Sequence, residues 1–136
     1  MGGVLKYLIL VALIVAGCGK KPFQKRIPPP DAFAEYVVEF ESLLGSEIYN
    51  IYFAFGDLNS YATCARSTGT ITVDETRWAD LCPLQRRALI FHELGHCVLM
   101  RDHTNDGDPI SYMNPALRTC TYYEQNIDAL DAELFN

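Results

Sequence analysis

All three histidines of the 136-residue chain fall within residues 92–103, and two of them open the pattern His92-Glu93-Leu94-Gly95-His96. No other feature constrains the local fold as strongly. In a helix, residues four apart share a face with their Cβ atoms roughly 5–6 Å apart. The imidazoles of His92 and His96 can then close on one zinc ion at ~2.0–2.1 Å each. Glu93 follows His92 directly, so it projects at an angle to that face and can reach a water at the ion without ligating. The flanks are apolar (Ala88-Leu89-Ile90-Phe91 before, Cys97-Val98-Leu99-Met100 after), as in a buried helix. Gly95 costs ~1 kcal/mol in a helix relative to Ala, which points to crowding at the site. The bland alternative is a pair of ordinary packed histidines. The flanks, Gly95 and a nearby third ligand candidate weigh against it.

The N-terminus reads as a targeting segment. One lysine precedes the apolar run 8–16, which ends in Val15-Ala16-Gly17-Cys18. The run is too short for a mature bilayer span and reads as a secretory signal. Small residues before a cysteine resemble a bacterial lipoprotein signal, whose cleavage leaves Cys18 as the lipidated N-terminus. An ordinary signal peptide or a short membrane anchor is the alternative. The expected organisation is a signal peptide at 1–17, a lipidated tether at 18–30 and one domain at 31–136. By the same resemblance, Gly19 after the cysteine favours the outer membrane of a Gram-negative envelope. The tether, with Lys20-Lys21, Lys25-Arg26 and Pro28-Pro29-Pro30, reads as an extended basic spacer whose charges could touch anionic head groups. The formal net charge of −6 argues against a nucleic-acid partner. A monomer is expected.

Setting Cys18 aside leaves Cys64, Cys82, Cys97 and Cys120. An even number in an exported small domain suggests two disulfides, with three connectivities open. The favoured pairing is Cys97–Cys120 with Cys64–Cys82. No C-x-x-C pair is present, which disfavours a zinc knuckle or a thioredoxin-type site.

The expected order of elements is helix, strands, helix, loop, helix, an α+β domain with a backing helix on a twisted sheet. The first helix starts with Asp31 as N-cap, carries Phe33, Val37, Phe40 and Leu44 at helical spacing, and stops at Gly45. Residues 48–55, 61–66 and 70–74 read as strands, the last two joined through Ser67-Thr68-Gly69. The next helix is capped by Asp80 or Cys82, has Pro83 in its first turn and runs to about Leu99. A loop over 101–117 follows. Thr121 and Glu124 then resemble a capping box opening a final helix, with Ile127, Leu130 and Leu134 on one face.

Together these residues resemble the metzincin clan of zinc peptidases, whose pattern is H-E-x-x-H-x-x-G-x-x-H followed by a methionine turn. The matching parts are His92, Glu93 and His96, and Ser111-Tyr112-Met113-Asn114-Pro115, which looks like that turn. Residues 69–74 resemble the strand that precedes the helix. The coverage runs from about Tyr61 to the C-terminus. Two positions depart from the pattern: Leu99 stands where the clan has glycine, and Asp102 where it has the third histidine. In one model of the site the turn is a residue longer and His103 completes a three-histidine centre. In the other, Asp102 is the third ligand, as in small secreted peptidases that use aspartate. His103 is favoured, imidazole being the commoner ligand.

The resemblance implies one catalytic Zn²⁺ and hydrolysis of peptide bonds, with Glu93 as general base and then acid for a zinc-activated water. It also implies an apolar floor at Met113 and a protein or peptide substrate. Tyr112 precedes the methionine, so the role of a clan tyrosine that follows it is not carried over; packing is expected instead. The substrate is expected to add as an extended strand along the sheet edge near 61–66. Two other classes compete. One is a catalytically silent zinc-binding lipoprotein serving in binding or assembly, against which Glu93 argues. The other is a three-histidine endoribonuclease, disfavoured by a spacing that differs by one residue and by the acidic balance.

Overall fold

The computed structural model describes residues 23–105 and 110–136. The expected signal peptide, Cys18 and the first residues of the tether lie outside the described residues. So does Asp106-Gly107-Asp108-Pro109 of the long loop.

The chain folds as an α+β domain with seven elements among the described residues. Helix α1 (Asp31–Leu44) buries Phe33, Tyr36, Val37 and Phe40 along one face, as its periodicity requires. It ends at Gly45, whose φ of 75° lets its N–H reach the Glu41 carbonyl at 2.9 Å. Pro30, not Asp31, holds the N-cap position. Asp31 instead lies in the first turn, where its carboxylate complements the helix dipole.

Three strands follow: β1 (Tyr52–Gly56), β2 (Ala62–Ala65) and β3 (Thr70–Asp74). They form a mixed sheet in the order β1-β3-β2, with β1 parallel and β2 antiparallel to β3. The first strand starts later than its composition suggests, because Ile48 and Ile51 are buried ahead of it rather than in the ladder. Gly69 closes the β2–β3 turn at φ 67°, donating to Ala65 O at 2.9 Å; a Cβ there would strike the Asn50 carbonyl.

Helix α2 (Glu75–Ala79) is a single turn that apolar periodicity does not reveal. Asp74 caps it, accepting from the Arg77 amide at 2.8 Å. It exists to bury Trp78, whose ring meets Phe33 and Tyr36 with centroids 5.2 and 5.9 Å apart. Helix α3 (Pro83–Cys97) has Cys82 as N-cap and Pro83 in its first turn. Helix α4 (Cys120–Phe135) is capped by Thr119, whose hydroxyl accepts from the Tyr122 amide at 3.2 Å. This replaces the expected Thr121 and Glu124 box, since Thr121 is already helical. Leu130 and Leu134 are buried, and Ile127 is half-buried beside them.

Helix α3 is the centre of the domain and packs against α1, α4, β2 and β3. Its Phe91 lies edge-on to Phe40, Tyr112 and Phe135, with centroids 5.3, 5.4 and 5.9 Å away. The disulfides are Cys64–Cys97 and Cys82–Cys120, which corrects the expected Cys97–Cys120 and Cys64–Cys82 pairing. The reason is helix direction. Helices α3 and α4 run in the same sense, with their starts joined by Cys82–Cys120 and with Leu134 lying near Gly95 at their far ends. Cys97 is therefore roughly 20 Å along α3 from that bond, beside β2 instead. The segment after α3 must return along the helix before α4 begins, and this return carries the remaining site residues.

Part of the expected tether is held against the domain. Lys25 and Asn50 exchange hydrogen bonds of 2.8 and 3.0 Å, and the Arg26 guanidinium pairs with the Glu41 carboxylate. Arg26 is thus engaged internally. Among the described residues, no helix is long and apolar enough to cross a membrane.

Candidate metal centre

His92 and His96 lie on one face of α3, and their Nε2 atoms stand 3.0 Å apart. The Nε2 of His103, on the return segment, lies 3.1 Å from that of His92. Among the described residues, these three form the cluster able to hold a metal ion. Asp102 does not join it. Its side chain points outward, 87% exposed, and takes a hydrogen bond from Arg66 Nη2 at 2.8 Å.

The two helical imidazoles are oriented through their other nitrogen. His92 Nδ1 is 2.6 Å from the Tyr112 carbonyl, and His96 Nδ1 is 2.7 Å from the Arg101 carbonyl. A carbonyl only accepts, so each Nδ1 carries the proton and each Nε2 a lone pair. Lone pairs so close repel one another in the absence of a cation between them. The donor set therefore fits a zinc-type ion: imidazole nitrogens from three side chains, leaving room for a further ligand. Burial holds the His92 pKa down at about 4, with the positive forms of His96 and His103 adding to the effect. Burial lowers His96 as well. Both favour the neutral, metal-binding form.

The one-residue departure from the clan pattern has a structural answer. Beyond the end of α3, Leu99 N reaches back to Leu94 O at 3.3 Å, and Arg101 N to Gly95 O at 3.0 Å. Between them Met100 adopts φ 55°, the left-handed conformation that a glycine would take. The turn thus falls one residue after Leu99. That shift carries the Arg101 carbonyl to His96 and His103 to the shared face.

Below the histidines, Met113 is fully buried. A Cβ on Gly95 would collide with its sulfur and lie 3.6 Å from Leu134 Cδ1, which accounts for the glycine in the motif. The segment turns because the Asn114 side chain accepts from the Ala116 amide at 2.9 Å, just ahead of which Pro115 restricts the backbone. Thr104 N donates to Met113 O at 3.0 Å and ties the His103 segment to this turn. Tyr112 packs in the core, as expected, and its hydroxyl donates to Asp131 at 2.9 Å.

Glu93 is 4% exposed, and burial raises its pKa to about 7. With His92 and His103 it lines a cavity of about 430 Å³. Tyr61 and Ala62, at the start of the outer strand β2, form part of the same wall, with Leu89, Leu117 and Tyr123 among the apolar residues. Sequence reasoning did not identify Arg66, Arg101, Asp131 or Glu133, all of which contact the site's supports. Their partners are remote in sequence, and no local spacing announces them.

Residues 50–116, just under half of the chain, match the model of a family described as "Putative phage metallopeptidase". The matched segment runs from the sheet through the histidine cluster to Ala116, so this part of the chain is metallopeptidase-like. The chain matches neither a curated protein nor a solved structure.

Proposed function

We propose that the protein is a zinc-dependent endopeptidase of metzincin type, with His92, His96 and His103 holding the ion and Glu93 acting on the attacking water. The observation that carries this reading is the convergence of three imidazole nitrogens beside a buried carboxylate that opens into a cavity. When bound, zinc supplies Lewis acidity that polarises a carbonyl and acidifies water. Glu93 is placed to take the water's proton on its carboxylate and pass it to the departing amine nitrogen. In the zinc-free protein, burial already lifts this carboxyl towards neutrality. An extended peptide would pair with the open edge of β2, and one bulky apolar side chain would enter the cavity beside Glu93. Attachment to the cell envelope through lipidated Cys18 belongs to this proposal and rests on the sequence alone.

The test is cleavage of casein by the purified protein before and after treatment with a chelator. Cleavage is expected to stop and to return on adding zinc. His103→Ala should not recover and Asp102→Ala should. Recovery by His103→Ala with loss in Asp102→Ala would transfer the third ligand to Asp102.

A further inference from the structure

The two residues whose carbonyls orient the metal-facing histidines are both held at their side chains by carboxylates of α4, and the Arg101 carbonyl also accepts from Arg66 Nη2. Tyr112, whose carbonyl accepts from His92, is held at its hydroxyl by Asp131, which it reaches at 2.9 Å, and by Arg87. Arg87 is itself buried; it binds both Asp131 oxygens at 2.9 and 3.0 Å and Glu39 of α1 at 2.9 Å. Arg101, whose carbonyl accepts from His96, donates from its guanidinium to the Glu133 carboxylate and, at 3.1 Å, to the Glu133 carbonyl. The other Glu133 oxygen accepts from the Ser111 hydroxyl at 2.8 Å, and that hydroxyl accepts from the Met113 amide at 3.0 Å. Glu133 thus grips both segments of the return, one on each side of the residues outside the described structure.

We propose that Asp131 and Glu133 are positioning residues for the metal centre, Asp131 acting on His92 through Tyr112 and Glu133 on His96 through Arg101. The inference rests on the metal-site reading above. A backbone carbonyl on an irregular segment is only as well placed as the segment. The described ends of this return are fixed by side chains and isolated backbone bonds, Arg101 N to Gly95 O and Thr104 N to Met113 O, rather than by a ladder. Two residues on a single turn of α4 therefore set the direction of two lone pairs. The surrounding structure need not change for the centre to weaken. A misplaced carbonyl frees the imidazole to turn about its side-chain bonds or to exchange its tautomer.

The experiment uses Asp131→Asn, Glu133→Gln and Glu133→Asp, with Glu41→Gln as a control that loses an ion pair remote from the centre. Zinc affinity is measured by chelator competition well below each unfolding temperature. Asp131→Asn and Glu133→Gln are expected to lose affinity by several-fold, up to the ~10- to 100-fold usual when a direct partner of a metal ligand is removed. Glu133→Asp should recover part of the loss, and Glu41→Gln should lower thermal stability with affinity intact. Imidazole nitrogen shifts of the zinc-free proteins give a second readout. His92 should leave the Nδ1–H form in Asp131→Asn, and His96 in Glu133→Gln. Wild-type affinity in both variants would overturn the proposal. If the wild type itself holds no zinc, the metal-site reading fails separately, and unchanged tautomers in the variants would then overturn the positioning role.

Discussion

At the scale of single residues, the centre depends on groups whose charged forms burial opposes. Glu93 has no charged partner behind its raised pKa; the cause is removal from water. In the zinc-free protein the sign follows directly. The folded value, about 7, lies above the ordinary 4.5, so the folded state holds the proton across that interval and the unfolded state gives it up. Stability is therefore greatest below the interval and is lost as pH rises through it. The shift corresponds to about 3 kcal/mol at 1.36 kcal/mol per unit. Glu93→Gln should abolish this dependence, so the zinc-free variant should gain about that much on wild type between the two ends of the window. Chemical unfolding on either side of the window checks it. His92 contributes the opposite slope, its folded value of about 4 lying below 6.5, so stability falls as pH falls through that range.

At the scale of elements, the end of α3 decides how the third histidine arrives. Met100 holds a left-handed conformation at φ 55° with its side chain 60% exposed, so a glycine there relieves strain and loses little packing. Met100→Gly is expected to raise stability by up to about 1 kcal/mol with zinc affinity retained, as thermal unfolding and chelator competition would show. This turn marks the boundary of what the sequence made legible. The pairing of His92 with His96 follows from helical spacing alone, and the crowding at Gly95 from a glycine where a helix would prefer alanine. Met113 was legible through the resemblance of residues 111–115 to a methionine turn. His103 and Asp102 stayed alternatives because choosing between them requires knowing where the helix unwinds. The disulfide pairing and the contacts of Asp131 and Glu133 lie beyond the reach of the sequence for one common reason. Both depend on α3 and α4 running in the same sense, a tertiary fact that no local period encodes.

At the scale of the whole molecule, two covalent and several polar ties converge on the faces of α3. Cys64–Cys97 fastens β2 beside His96, and Cys82–Cys120 fastens α4 to the start of α3. The return segment, held by Glu133 and by the contact of Thr104 with Met113, is then closed by its contribution of His103. Metal binding should therefore act as a third tie on the same assembly. A ligand that binds only the folded state adds about 4 kcal/mol at a thousandfold excess over its dissociation constant. Saturating zinc should raise the unfolding temperature of wild type substantially and that of a His92→Ala, His96→Ala double variant very little, as calorimetry would record. The most direct measurement of the central claim compares zinc-loaded wild type with zinc-loaded Glu93→Gln in cleaving an unstructured protein, with the metal content of both determined. The account predicts that both hold one zinc and that the variant cleaves at least ~100-fold more slowly. Equal rates, or a zinc-loaded wild type that cleaves no peptide bond, would contradict it.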